Sequence, residues 1–327
     1  MERIKALAMF SGGLDSILAI KVVQRQGIEV EALNFSGFFC SCKAGGGVSE
    51  VAKRLGVPLK RVEVDGKYLR MLRNPKHGYG RNMNPCVDCK IFMLREAKKY
   101  AKKIGAAFVF TGEVLDERPM SQHYPALRII EEESGLKGRL VRPLSAKLLP
   151  ETFAEKRGLA KREMLLSIRG RSRKPQMALA REFGVISYPS PAGGCLLTES
   201  EFANRLRDLF RHRKRCSVAD VALLRLGRHF RLDDNKIIVG RNENENKALI
   251  AGKAGSDYVF EIPDVAGPIT LLQGRKTKKA INYAAGLTAA YSDAKTPTVL
   301  VDFGQNKLEM SVNVRVPARE DVNCLRI

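Results

Sequence analysis

The sequence predicts an α/β fold built on a parallel sheet, followed by a smaller α+β domain, and three observations carry that prediction. Apolar strand-like runs alternate with helix-length patterns from the N-terminus past the middle of the chain, the order that a parallel sheet with helices on both faces produces. A glycine turn, Ser11-Gly12-Gly13-Leu14-Asp15-Ser16, separates the first apolar run from the first helical one. A Pro- and Gly-rich stretch from Ser187 to Gly194 then closes this pattern, and short strands mixed with two helical stretches follow it.

Each element is read from its local signal. Ile4 to Phe10 is a buried strand, Asp15 to Arg25 a helix, Ile28 to Phe35 a second strand. A helix near Val48 to Leu55 leads to the strand Leu59 to Val64. Asn74 to Asn84 is polar and glycine-containing and reads as a loop before a long helix, Asp88 to Ile104, and the strand Ala107 to Thr111. Leu140 to Pro143 is a further strand, backed by a helix from Glu151 to Arg157. Beyond the amphipathic basic stretch Phe202 to Arg215 come strands at Lys236 to Val239, Asp257 to Ile262, Thr298 to Phe303 and Leu308 to Val316. Helices are expected at Asn242 to Lys253 and Thr277 to Tyr291. The division is placed between residues 198 and 199.

Composition narrows the function. Across 327 residues, 57 Lys+Arg face 35 Asp+Glu, a net charge of +22. Such a surplus points to a polyanionic partner, because cationic side chains that neutralise phosphates release counterions. No stretch approaches the ~20 apolar residues that span a bilayer, and the N-terminus lacks a signal-peptide pattern, so a cytoplasmic protein is expected. Its 7 cysteines are then better read as thiols, metal ligands or catalytic groups than as a disulfide framework.

The glycine turn is the sharpest signal. Glycines between a strand and a helix let the backbone turn tightly and aim free N–H groups at an anion. A bare turn needs only the glycines; Ser11, Asp15 and Ser16 are surplus to it. No lysine follows, so this is not the Gly-Lys-Ser/Thr triphosphate loop. The hexapeptide resembles the pyrophosphate loop of the ATP pyrophosphatase superfamily, whose sheet is of the adenine-nucleotide alpha-hydrolase-like (HUP) type. The resemblance implies cleavage of ATP between its α and β phosphates and adenylation of an oxygen. It assigns Ser11, Gly12, Gly13, Leu14, Asp15 and Ser16 to the pyrophosphate and its magnesium, with Asp15 in a catalytic role. It puts Asn34 and Phe35 at the adenine, and makes Thr111-Gly112-Glu113 the second small-residue motif.

The cysteines choose the chemistry. Cys86 and Cys89 form a C-x-x-C at the start of the long helix, where one turn brings both sulfurs to one side and the helix N-terminus lowers thiol pKa values. Cys195 sits in a Pro- and Gly-rich loop. Within the superfamily, tRNA-thiolating enzymes carry a C-x-x-C in this region and another cysteine far downstream. Gly80 to Cys89 is similar to the tRNA 2-thiouridylases, and Ala192 to Thr198 to a related thiolation branch. The resemblance thus implies an ATP-dependent tRNA sulfurtransferase, a tRNA thiouridine synthetase that forms 4-thiouridine or 2-thiouridine. Two schemes stand side by side: a [4Fe–4S] cluster on Cys86, Cys89 and Cys195 with one iron open to hydrosulfide, or a persulfide and resolving pair, Cys195 with Cys89. A structural zinc site that adds Cys40 and Cys42 is the plainer alternative. Lys147 is a candidate AMP contact by the same resemblance.

Two basic runs are expected to track RNA phosphates: Arg169, Arg171, Arg173 and Lys174 in the first, Arg211, Arg213, Lys214 and Arg215 in the second. Val239 to Asn242 with Asn244 to Asn246 resembles an RNA-binding domain related to NFACT-R, over about residues 215–327. The THUMP and rhodanese domains of some 4-thiouridine synthetases are not seen, so sulfur is expected from an external donor such as sulfide or a cysteine desulfurase. Two other classes remain: an RNA-binding protein with a vestigial nucleotide site, and a ligase acting on a small molecule.

Overall fold

The computed structural model describes residues 4–36, 39, 47–188 and 195–327. Cys40, Cys42 and the Ala192-Gly193-Gly194 stretch before Cys195 lie outside the described residues. The chain divides into two compact units, Met1–Glu199 and Ser200–Ile327.

The first unit is a five-stranded sheet in the order β3-β2-β1-β4-β5, parallel throughout. Its strands are β1 Lys5–Met9, β2 Glu29–Ser36, β3 Leu59–Glu63, β4 Phe108–Thr111 and β5 Leu140–Val141. The helices are α1 Leu14–Gln24, α2 Gly47–Arg54, α3 Gly66–Arg73, α4 Cys86–Lys103, α5 Tyr124–Ser134, α6 Phe153–Lys156 and α7 Lys174–Glu182. Alternation along each strand builds two cores. Ala6, Ala8, Val30, Ala32, Phe108 and Phe110 meet α1, α2, α6 and α7 on one face. Leu7, Leu33, Val109 and Leu140 meet α4 and α5 on the other. Nearly continuous apolar strands are what two covered faces require.

The helices α3, α5 and α7 are additions to the sequence reading. α3 starts at Asp65, whose carboxylate accepts from the N–H groups of Lys67 and Tyr68. α5 carries three consecutive glutamates, and ends on Gly135 at φ +71°. Neither shows the long apolar period that marks α4.

The second unit is a six-stranded antiparallel sheet, β11-β10-β8-β9-β7-β6. Its strands are β6 Arg228–Leu232, β7 Asn235–Val239, β8 Tyr258–Glu261, β9 Thr270–Gln273, β10 Thr298–Gly304 and β11 Met310–Arg315. Its helices are α8 Ser200–His212, α9 Val218–Leu223, α10 Glu243–Gly252, α11 Lys278–Ala290 and α12 Arg319–Asn323. The alanine-rich α11 packs closely on one face, and Leu223 and Leu249 of α9 and α10 cover the other. No helix among the described residues is long and apolar enough to cross a membrane.

Candidate functional site

The strand order reverses direction between β1 and β4, and in an open parallel sheet the crevice at such a switch point, beyond the carboxyl ends of the strands, is where ligands bind. The loop Ser11–Gly13 leaves β1 there and Thr111-Gly112-Glu113 leaves β4 beside it. Gly12 adopts φ +79°, a conformation that side chains with a Cβ rarely hold. Gly112 has a different reason to be glycine: a Cβ on it would meet the backbone carbon and oxygen of Asp15 and the nitrogen of Ser16 at 2.6 Å. The second small-residue motif therefore lets β4 approach the start of α1.

Within the loop, the Ser16 hydroxyl donates to the Gly13 carbonyl at 2.7 Å, and Ser11 Oγ accepts from the Gly13 N–H at 3.3 Å. Asp15 stands in the first turn of α1, where burial pushes its carboxyl above the usual range while Arg173 and Arg118 oppose the shift. Its Oδ1 is buried without a hydrogen-bond partner. A carboxylate oxygen left open at a loop whose N–H groups and hydroxyls suit phosphate fits a magnesium–nucleotide complex. Asn34 is less available than the sequence suggests, because its amide donates to the Phe10 carbonyl at 2.8 Å and ties β2 to the end of β1. Phe35 follows it, half-buried, on the face that packs toward α4.

The cysteines gather at the same end of the sheet. α4 begins at Cys86. The Cys195 turn is stapled to it indirectly: Met83 N–H donates to the Leu197 carbonyl at 3.0 Å and the Asn82 amide to the Thr198 carbonyl at 2.7 Å. Leu196 N–H donates to the Phe39 carbonyl at 2.8 Å. Between them lies Tyr68 of α3, packed on Phe39 and Phe92, whose hydroxyl donates to Cys89 Sγ at 3.3 Å. Burial, followed by the charges of Cys89, Cys195 and Cys86, pushes the Tyr68 phenol well up, so all three sulfurs lie within its electrostatic reach.

Burial also overrides the helix N-terminus at Cys89, whose thiol is pushed up to about 11 despite the Tyr68 hydrogen bond; the lowering expected from the C-x-x-C position is not realised there. Among the described residues, no three His, Cys, Asp or Glu side chains stand close enough together to hold a metal ion. The three thiols converge around one phenol, that of Tyr68.

A buried ion network joins the two halves of the site. Lys90, next to Cys89, pairs with Glu113, which also accepts from Arg142 Nε at 3.0 Å, and Arg142 pairs in turn with Glu131. Burial raises the Glu113 carboxyl, but Lys90 and Arg142 outweigh it and hold the group at about 2. The chain Cys89–Lys90–Glu113–Gly112–Asp15 is thus continuous. Sequence reasoning had Glu113 but missed Lys90, whose only signal was its place beside the C-x-x-C, and missed Tyr68, Arg118 and Gln176.

The cations expected to meet nucleotide or RNA divide into paired and exposed ones. Lys147, the candidate AMP contact, donates to the Glu163 carbonyl at 2.9 Å. Arg169 pairs with Asp116 at 2.7 Å, Arg171 and Lys174 are exposed, and Arg173 lies at the cap of α7 within reach of Asp15. In the second unit, Arg211, Lys214 and Arg215 are exposed while Arg213 pairs with Asp220. The same unit buries Asp208 against Arg231 and Lys236, and desolvation lowers the Lys236 amine to about 8 despite that carboxylate.

The fold and loop define a parallel α/β domain with a glycine-rich anion loop at its switch point, carried with a separate antiparallel-sheet unit. Family models agree with both parts. Residues 2–147 match the family described as thiamine biosynthesis protein (ThiI), and residues 227–324 match the NFACT protein RNA binding domain. Among curated proteins, the tRNA-specific 2-thiouridylase MnmA of Acidithiobacillus ferrooxidans is 30% identical over 146 residues, 41% of this chain and 38% of that one. A probable tRNA sulfurtransferase of Thermococcus kodakarensis is 26% identical over 43% of this chain and 36% of its own. The aligned stretches thus span well under half the length of these relatives. A solved 4-thiouridine synthetase–RNA complex with bound ATP is 20% identical, covering 67% of this chain and 52% of that chain at a TM-score of 0.35, too distant a superposition to bear on the site.

Proposed function

We propose that this protein is an ATP-dependent tRNA sulfurtransferase that adenylates a uridine carbonyl oxygen and replaces it with sulfur, with 4-thiouridine as the product. The observation that carries the reading is the juxtaposition of a pyrophosphate-type loop and three converging thiols at one switch point, linked through Lys90 and Glu113. The Met1–Glu199 unit would do the chemistry and the Ser200–Ile327 unit would capture RNA.

A uracil carbonyl is a poor electrophile because its oxygen would leave as oxide. Attack of that oxygen on the α-phosphorus of ATP releases pyrophosphate and leaves AMP on the base, and AMP departs readily. Magnesium, when bound, neutralises the charge that develops on the departing pyrophosphate. Gly12, Gly13 and the start of α1 would turn N–H groups on the same oxygens, with Ser11 and Ser16 supplying hydroxyls. Asp15 would hold the cation.

Sulfur transfer is then written through thiols. A persulfide on Cys195, loaded by an external donor, attacks the activated carbon through its terminal sulfur, and AMP leaves. Cys89, once deprotonated, attacks Cys195 Sγ, forming a Cys89–Cys195 disulfide as the base departs carrying its thiocarbonyl. Oxidation of the Cys89 and Cys195 sulfurs to the disulfide supplies the two electrons that reduce the transferred sulfur, and an external dithiol must then reduce the disulfide back to two thiols. Burial of Cys89 keeps it protonated near neutral pH until that step. A [4Fe–4S] cluster on Cys86, Cys89 and Cys195 is the competing sulfur carrier.

The test is anaerobic incubation of the protein with tRNA, MgATP and sulfide or a persulfide donor, followed by nucleoside mass spectrometry, with iron, sulfide and zinc analysis of the same preparation. Thiouridine that depends on ATP and on Cys195 supports the proposal, and its chromatographic identity separates 4- from 2-thiouridine. Iron and sulfide in cluster stoichiometry would move the sulfur step to the cluster. Turnover without RNA would refute the substrate.

A further inference from the structure

We propose that Arg173 and Gln176 of α7, together with Arg118 from the loop after β4, form a second wall of the phosphate site and hold the departing magnesium pyrophosphate. The inference rests on the nucleotide reading above and takes Arg173 off the RNA track to which its sequence neighbours assigned it.

The backbone brings these groups to the loop. Leu115 and Arg169 form a parallel bridge, the Gly170 N–H donates to the Leu115 carbonyl at 2.7 Å, and Arg169 pairs with Asp116. The segment that ends in Arg173 is thereby zipped to the segment that ends in Arg118. α7 packs on α1, and neither helix start is capped by a side-chain hydrogen bond at its N-cap residue, Gly13 or Arg173.

The second observation is an unfilled demand for partners. Gln176 is 0% exposed, yet both polar atoms of its amide lack a hydrogen-bond partner. It stands within hydrogen-bonding reach of the Asp15 carboxylate, which can answer its N–H groups but not its carbonyl oxygen, and Asp15 Oδ1 is buried with no other partner. A buried polar group left unsatisfied is destabilising. Two such groups facing each other beside a phosphate loop are the arrangement of a site whose ligand completes it.

Charge selects the ligand. Arg118 and Arg173 bring two guanidiniums, which suit phosphate oxygens. Asp15 and Glu117 stand among them, and burial raises both carboxyls above the usual range. A bare polyanion would be repelled by these two carboxylates. An anion that carries its own divalent cation meets both signs: the cation faces Asp15 and the Gln176 amide, and the phosphate oxygens face the arginines.

The experiment measures magnesium pyrophosphate and MgATP binding by calorimetry, and tRNA binding across a salt series, for the full chain and for Arg118→Ala, Arg173→Ala, Arg173→Lys and Gln176→Leu. Magnesium pyrophosphate should bind about tenfold more weakly to each alanine variant and to Gln176→Leu, with partial recovery in Arg173→Lys. The affinity for tRNA and its salt slope should stay as in the parent. Gln176→Leu guards against misfolding as an explanation, because removing an orphaned amide in favour of an apolar side chain of similar size should not lower the melting temperature. Unchanged pyrophosphate binding, with tRNA affinity falling and the salt slope dropping by about one per arginine, would overturn the inference and return Arg173 to the RNA track. If the parent chain binds neither MgATP nor magnesium pyrophosphate, the nucleotide reading itself fails and the inference fails with it. If the parent binds both and the variants match it, the inference alone is refuted.

Discussion

Replacing Glu113 by glutamine removes one charge from a buried network while keeping the side chain's shape, and the structure sets the size of the effect. Lys90 and Arg142 hold the Glu113 carboxyl at about 2, against an ordinary glutamate value of 4.5. At 1.36 kcal/mol per pKa unit, that difference corresponds to about 3 kcal/mol of stability. The sign follows from linkage: a carboxyl whose folded pKa is depressed stabilises the fold fully above its unfolded pKa and loses that contribution as pH falls through the folded value. Glu113→Gln should therefore unfold with about 3 kcal/mol less free energy than the parent at pH 7, and with only about 1 kcal/mol less at pH 3, where much of the contribution is already gone. Arg142 remains paired with Glu131, which limits the loss. Urea denaturation followed by far-ultraviolet circular dichroism at several pH values reads both numbers. A deficit under 1 kcal/mol at pH 7, or one that does not shrink toward acid, would refute the account of the network.

Four further outcomes are expected. Asp15→Asn should abolish AMP formation while leaving tRNA binding nearly unchanged, as read by ATP–pyrophosphate exchange and filter binding. Gly112→Ala should drive a Cβ into the Asp15 and Ser16 backbone, where 2.6 Å separates them, and lower both the melting temperature and MgATP affinity; parental values for both would show that the approach of β4 to α1 is soft. Cys89→Ser and Cys195→Ser should each stop thiouridine formation but retain tRNA-dependent pyrophosphate release. Removal of residues 200–327 should weaken tRNA binding and flatten its salt dependence, whereas undiminished binding would place RNA capture in the first unit.

Much of the site was legible because its parts are local. The Ser11–Ser16 turn, the C-x-x-C at Cys86 and Cys89, and Thr111-Gly112-Glu113 are contiguous words whose backbone demands can be read from glycine placement and strand-to-helix order. β1 and β4 stood out because strands buried on both faces carry nearly unbroken apolar runs, whereas β2 and the edge strand β3 were read from apolar residues alternating with polar ones. α3 and α7 did not stand out, since helices of 8 and 9 residues span too few turns for their period to show against the flanking loops. Cys89 shows the limit of local reasoning. Its helix position argues for a lowered thiol, and the desolvation that reverses this comes from tertiary burial, which outweighs even the lowering hydrogen bond from Tyr68 of α3.

The sequence by itself determined the parallel-sheet class, the phosphate turn and the excess of positive charge, because strand patterning, glycine geometry and net charge are properties of neighbouring residues or of the whole composition. Only the tertiary structure decided which charges meet. It tied Asn34 to Phe10 and Lys147 to Glu163, buried Glu113 between Lys90 and Arg142, and brought Arg173 within electrostatic reach of Asp15. Pairing depends on distances set by how helices pack across a sheet, and a linear run of arginines carries no record of which of them will face inward.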